Sequence, residues 1–245
     1  MLSALPGGLL GGRYGQPPAA VVALHGWRRT HADFDAVLDG VDGAAPDLPG
    51  FGAAAPPDRS WGSAEYAEAV LALCSEGPPV VLAGHSFGGK VAVALAAAHP
   101  DRVKALVLTG APVLRPPDQP RPRPPAAYRL ARTLNRLGLV SDARLEARRR
   151  QRGSEDYRAA TGVMRDVLVR SIAEMDEGLY RQALAAITCP VELVWGALDT
   201  AAPPSVAAEV ARLAPAARVT VLDGVGHLTP TDAPAALRAA IDRHR

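Results

Sequence analysis

Gly84-His85-Ser86-Phe87-Gly88-Gly89 is the segment of this 245-residue chain whose residue types and spacing point most directly to chemistry. A serine in a G-x-S-x-G run between an apolar strand and a helix sits on a sharp, strained turn, with its hydroxyl pushed out above the sheet. Gly84 and Gly88 let strand and helix approach where side chains would not fit. Residues 79–83, Pro-Val-Val-Leu-Ala, read as that strand and residues 90–98 as that helix, which disfavours an incidental serine in a glycine-rich turn. The helix N-terminus behind Ser86 also favours the negative charge of an acyl-transfer transition state. Ser86 is therefore the expected nucleophile.

A hydroxyl is a weak nucleophile until a neighbouring base takes its proton. Of the six histidines, His25 lies in a His-Gly turn and His31 and His99 fall near helix ends. His244 is in the C-terminal tail, and His85 flanks the serine with its side chain expected to point away. His227 ends Asp223-Gly224-Val225-Gly226-His227, a glycine-bearing loop after the last apolar run. That places it at the carboxyl edge of a parallel sheet, where sites assemble. It is the expected general base. Asp199 follows residues 191–195 through Gly196-Ala197-Leu198 and is the expected acid that fixes the imidazole tautomer and stabilises the imidazolium. Asp47 is its rival, but Asp47-Leu48-Pro49-Gly50-Phe51-Gly52 reads as a loop braced by its carboxylate. The oxyanion of a tetrahedral intermediate needs two donors. The backbone N–H of Phe87 is one. The second is assigned to the N–H of Trp27 in His25-Gly26-Trp27, where Gly26 lets the backbone turn inward.

The elements that must position these groups alternate between short β-branched runs and Ala-rich helical patterns, which indicates a parallel sheet covered by helices. Strands are expected at 20–24, 44–47, 79–83, 103–109, 191–195 and 218–222, as continuous apolar runs suited to burial on both faces. Helices are expected at 63–75, with Ser63 as N-cap and Tyr66, Val70, Leu71 and Cys74 as its apolar stripe, and at 90–98, 205–213 and 233–243. Only residues 9–16 precede the first strong run as possible sheet, so an opening strand is expected to be short or missing. Between Pro112 and Ile187 the rhythm breaks. A linker carrying Pro112, Pro116, Pro117, Pro120, Pro122, Pro124 and Pro125 leads into 126–186, which has helical periods and no strand pattern. The division expected is a core over 1–112, a helical cap over 113–186 and the rest of the core over 187–245. Arg144, Arg148, Arg149, Arg150 and Arg152 in the cap read as a solvated helix face, with attraction of anionic substrates as the other reading.

Composition narrows the function classes. A chain with 48% hydrophobic and 21% charged residues is ordinary for a globular protein. A net charge of +2 calls for neither nucleic acid nor an anionic membrane as partner. Cys74 and Cys189, far apart, give no disulfide framework and no metal-ligand spacing. The first twelve residues make a poor signal peptide, and no apolar stretch is long enough to span a bilayer. A cytoplasmic location, a small-molecule substrate and no metal are expected; the oligomeric state, monomer or homodimer, stays open.

In order and spacing, His25-Gly26-Trp27, Asp47 to Gly52, Gly84 to Gly89, Trp195 to Asp199 and Gly226-His227 resemble the α/β-hydrolase superfamily. The resemblance covers nearly the whole chain. It implies an α/β fold with a mostly parallel sheet of about seven to eight strands and a helical cap inserted after the sixth. It also implies the chain order Ser86, Asp199, His227 for the triad, and no organic cofactor. Serine at the elbow resembles esterases and lipases, with C–C bond hydrolases of dienoic diketones and cofactor-free perhydrolases as alternatives. A receptor-like binding protein on the same fold is the non-enzyme alternative. The activity implied is carboxylesterase-like cleavage of a small to medium, apolar acyl ester.

Overall fold

The computed structural model describes residues 2–116, 126–141, 143–144, 146–147, 155–214 and 216–245. Eight of its segments form one sheet: β1 (Leu2–Ala4), β2 (Leu10–Tyr14), β3 (Val21–Leu24), β4 (Gly43–Pro46), β5 (Val80–His85), β6 (Val103–Thr109), β7 (Val191–Gly196) and β8 (Arg218–Leu222). Their spatial order is β1-β2-β4-β3-β5-β6-β7-β8. The pairs β1/β2 and β2/β4 are antiparallel, and every pairing from β4 through β8 is parallel. The opening strand exists and is short, but it lies before the 9–16 window expected to hold any early sheet: Leu2–Ala4 is held as a strand by antiparallel pairing with Leu10 to Gly12. The order turns around at β3, so the loops after β3 and β5 leave adjacent strands on the same rim, where a crevice opens.

The central strands are buried on both faces, and the two faces belong to different cores. Val22 and Leu24 of β3, Leu82 of β5, and Leu106 and Leu108 of β6 pack with Tyr66, Val91, Leu95, Tyr180 and Leu184. Their neighbours Val21, Ala23, Val81, Ala83, Ala105 and Val107 point the other way, onto Phe34, Val37, Leu38, Leu237 and Ile241. That alternation is the two-residue period of a strand, and it explains why both positions had to be apolar. Helices Ser63–Val70, Phe87–Ala98, Leu179–Ala186 and Pro204–Leu213 therefore cover one face, and Asp35–Leu38 and Pro234–Asp242 the other.

Between β6 and β7 the described residues form helices and no strand: Ala126–Arg136, Glu155–Ala159, Gly162–Asp176 and Leu179–Ala186. Helix Gly162–Asp176 buries Val167, Ser171 and Glu174, a four-then-three spacing that puts all three on one face. Glu174 accepts hydrogen bonds from the Ser63 N–H at 3.1 and 3.2 Å and from the Tyr180 hydroxyl at 2.7 Å. Arg170 donates to the Ser60 carbonyl at 2.8 Å.

These contacts correct the expectation for Ser63. The N-cap is Gly62, whose N–H donates to Glu65 Oε2 at 2.9 Å, and Ser63 is the first helical residue, its N–H satisfied by Glu174 instead. The helix also tightens into a 3-10 turn at Leu71–Cys74 rather than running evenly to Ser75. Of the proline-rich linker and the arginine run, Pro117, Pro120, Pro122, Pro124, Pro125, Arg148, Arg149, Arg150 and Arg152 lie outside the described residues. Arg144 is exposed.

Candidate active site

Because β3 and β5 to β8 are parallel, the segments that follow them emerge on one rim of the sheet. His25 to Trp27 leave β3, Ser86 leaves β5, Gly110 leaves β6, Asp199 follows β7 and His227 follows β8.

Ser86 sits between β5 and the helix Phe87–Ala98 with φ 51° and ψ −114°, a conformation rarely held by a residue with a side chain. The packing that over-determines it is visible at its glycines. A Cβ on Gly84 would lie 2.7 Å from Gly89 Cα, and one on Gly88 would overlap the Leu24 carbonyl of β3. The Ser86 N–H is fixed to the Thr109 carbonyl of β6 at 3.0 Å.

From Ser86 a continuous chain of hydrogen bonds runs inward. His227 Nε2 lies 3.1 Å from Ser86 Oγ, and His227 Nδ1 lies 2.8 Å from Asp199 Oδ2. The other carboxylate oxygen, Asp199 Oδ1, accepts the N–H groups of Ala201 and Ala202 at 2.9 and 2.8 Å. An acceptor-only carboxylate is matched by three donors, so Nδ1 carries its hydrogen and Nε2 faces the serine as the acceptor. Asp47, the rival acid, is elsewhere. It accepts from the His31 N–H and Nδ1 at 2.8 Å each and from the Ala53 N–H at 2.8 Å, and these bonds hold its pKa below the usual carboxylate value despite burial.

The backbone N–H groups of Phe87 and Trp27 have no hydrogen-bond partner among the described residues. Both residues line one cavity with Ser86 and His227. The loop that carries Trp27 is held from below by His25. This buried imidazole donates from Nδ1 to the Gly26 carbonyl at 2.8 Å and accepts the Leu48 N–H on Nε2 at 2.9 Å. Desolvation lowers its pKa, so it stays neutral and keeps both bonds. Gly26 faces the elbow closely enough that a Cβ there would come within 3.2 Å of Ser86 Cβ. Trp27, Phe51 and Phe87 meet edge-on or tilted with centroids 4.9 to 5.8 Å apart, and Tyr66 abuts Phe87 at 5.1 Å. In a chain with 4% aromatic residues, this concentration at one loop gives the cavity a stiff apolar wall.

Two contributors were not evident from the residue pattern. His85 does not turn away from the site: its ring centroid is 4.9 Å from that of His227, and its Nε2–H donates to the His227 carbonyl at 2.9 Å. Burial, then the neighbouring His227, depress its pKa to about 4. The outward push expected for its side chain fails because the Gly26 loop leaves a slot above the strand end. Gly110 has φ +53°, and a Cβ there would meet His227 Nδ1 at 3.0 Å and Asp199 Oδ2 at 3.1 Å. A glycine ending a strand is too common a signal to have been singled out.

The cavity has a volume of about 340 Å³, within the range of small-ligand sites, and Leu168, Ile172 and Met175 of the helix Gly162–Asp176 line it. Among the described residues, no group of three or more His, Cys, Asp or Glu side chains is arranged to hold a metal ion. Likewise no described helix is long and apolar enough to cross a membrane.

A model of the family described as "Alpha/beta hydrolase family" matches residues 21–240. The pimeloyl-[acyl-carrier protein] methyl ester esterase of Aromatoleum aromaticum is 31% identical over 235 residues, 84% of this chain and 90% of that protein. Lipase LipV of Mycobacterium tuberculosis is 43% identical over 106 residues, a match spanning 39% of each chain. In three dimensions, the chain is similar to a putative lipase from Acinetobacter baumannii, with a TM-score of 0.70 at 21% identity, covering 98% of this chain and 88% of that one. It is also similar to a thioesterase domain from the curacin biosynthetic pathway, with a TM-score of 0.67 at 22% identity and 98% of both chains covered. At these identities the structural likeness concerns the fold.

Proposed function

We propose that this chain, which belongs to the α/β hydrolase family, is a serine esterase with Ser86 as nucleophile, His227 as general base and Asp199 as the orienting acid. The observation that carries the reading is the unbroken relay from Asp199 Oδ2 through His227 to Ser86 Oγ, at 2.8 and 3.1 Å, on the wall of a mostly apolar cavity. The methyl ester esterases among the relatives favour a carboxylic ester over other acyl bonds.

In this mechanism Ser86 Oγ attacks the ester carbonyl as His227 Nε2 takes its proton, and Asp199 stabilises the imidazolium. The carbonyl oxygen gains negative charge at the N–H groups of Phe87 and Trp27, each such donor contributing about 2.7–4 kcal/mol to transition-state stabilisation. His227 then gives its proton to the departing alcohol, leaving an acyl group on Ser86. Water, deprotonated by the same imidazole, releases the acid and restores the hydroxyl. Of the helices between β6 and β7, Gly162–Asp176 and Asp156 of Glu155–Ala159 act as the cap: they line the cavity and shield it in part from water, which strengthens these interactions. The Trp27–Phe87 wall fits a small to medium, largely apolar acyl chain.

The test is turnover of short-chain p-nitrophenyl esters by the purified protein beside its Ser86→Ala variant. Loss of turnover in the variant, with an unchanged unfolding transition, is expected. Turnover by Ser86→Ala at the original rate would overturn the assignment.

A further inference from the structure

Lys90 is the feature of the cavity that ester cleavage leaves unexplained. It lies one helical turn beyond Ser86 on helix Phe87–Ala98, is 5% exposed and lines the same cavity. Its Nζ donates to the Ser171 carbonyl at 3.1 Å and to Ser171 Oγ at 2.9 Å and lies 5.6 Å from the centre of the Tyr180 ring. All three partners are neutral. An ammonium has three protons, and two are used.

A buried charge is costly unless it is paired, yet no carboxylate lies within ion-pair distance of Lys90 among the described residues. The acids nearby are committed elsewhere. Glu174 takes the Ser63 N–H, the Tyr180 hydroxyl and Arg170, and Asp176 takes Arg115. The other charged residues lining the cavity are also matched, Arg29 with Asp33 and Asp156 with Arg28. Among the described residues, Lys90 is thus the formal cation on this wall with no carboxylate in ion-pair contact.

We infer, resting on the esterase reading above, that Lys90 and Ser171 form an anion-recognising end of the cavity and that the preferred acyl group carries a carboxylate at its far end. The substrate class is a monoester of a short dicarboxylic acid. The reach is consistent with this. The Phe87 N–H, which would hold the reacting carbonyl oxygen, and Lys90 are three residues apart, roughly 4.5 Å along the helix axis. Ser86, Phe87, Lys90 and Ser171 line one cavity, so a short acyl chain of about five carbons is the length to test across it.

Burial lowers the Lys90 pKa to about 8, with Glu174 and Asp176 opposing the shift. The titratable groups around it are these two acids and Tyr180, with Arg29, Asp156, His85 and His227 across the cavity. The ammonium charge, and with it the preference for an anionic acyl chain, should therefore fade as pH rises from 7 to 9.

The experiment compares kcat/KM for monomethyl glutarate with that for methyl pentanoate, a neutral ester of equal chain length, by methanol release. The ratio is the readout, so effects on Ser86 or His227 common to both esters cancel. A wild-type ratio above one is expected. So are an at least tenfold fall in Lys90→Met, retention of most of the ratio in Lys90→Arg, and a fall of the wild-type ratio between pH 7 and 9. The pH series needs no variant and decides the matter if Lys90→Met does not fold. A ratio at or below one, or one indifferent to both Lys90→Met and pH, overturns the anion site. If methyl pentanoate is nevertheless cleaved and Ser86→Ala is dead, the esterase reading survives that failure. No turnover of either ester, together with no labelling of Ser86 by a fluorophosphonate, overturns both.

Discussion

Replacing Gly110 with alanine tests the site through a residue that takes no part in proton transfer. The added Cβ would sit 3.0 Å from His227 Nδ1 and 3.1 Å from Asp199 Oδ2, against about 3.4–4 Å for ordinary contact. Imidazole and carboxylate must then give way by a few tenths of an ångström, stretching a 2.8 Å hydrogen bond and tilting Nε2 from Ser86 Oγ. A full ångström of misplacement at a reacting centre can cost about 10² in rate, so a partial shift should cost about tenfold in kcat/KM, or about 1.4 kcal/mol. Separately, φ +53° should cost alanine about 1–2 kcal/mol of stability. Gly40→Ala separates the two effects, because Gly40 has φ +66° and open space around its would-be Cβ. It should lose similar stability and no activity. The assay is ester turnover of each variant beside its urea unfolding curve. A folded Gly110→Ala enzyme with kcat/KM within twofold of wild type would refute the idea that the Asp199–His227 pair is held in place by the tight packing here.

Three further outcomes follow from the same contacts. Asp199→Asn should lower kcat by about 10⁴, because an amide cannot hold the Nδ1–H tautomer, and a loss under tenfold in steady-state kinetics would argue against its role. Wild-type stability should decline as pH falls from 6.5 towards 4. The unfolded chain's imidazole binds a proton near 6.5, whereas His85 in the fold resists protonation down to about 4. The loss is on the order of 3 kcal/mol, and in His85→Phe the pH slope of the urea midpoint should flatten, with His25, lowered in the same direction, keeping part of it. An unchanged slope in that variant would contradict the assignment. Glu174→Leu should lower stability by about 1–3 kcal/mol by stranding the Ser63 N–H and the Tyr180 hydroxyl, and a thermal melt unaltered from wild type would count against that docking.

The sequence carried the central sheet because strands buried on both faces leave unbroken apolar runs, as at Val80 to Ala83 and Val103 to Thr109. Ser86, Asp199 and His227 were legible for a related reason: each lies just past such a run, and parallel pairing brings the run ends to one rim. What stayed hidden depends on partners distant in sequence. Ser63 looks like an N-cap by type, but Glu174, 111 residues away, satisfies its N–H, leaving the cap position to Gly62. Lys90 reads as an unremarkable helical position, and its missing counterion shows only when Glu174 and Asp176 are seen bound to others. His85 looked outward by local geometry, and only the glycine at position 26 makes room for its ring beside His227.

The most direct measurement is capture of the covalent intermediate. Acid quenching during turnover of a slowly deacylating ester, followed by peptide mass mapping, should find the acyl group on the peptide bearing Ser86 and on no other. An acyl group on a different residue, or ester turnover at full rate with no acylated protein at any quench time, would contradict nucleophilic catalysis by Ser86.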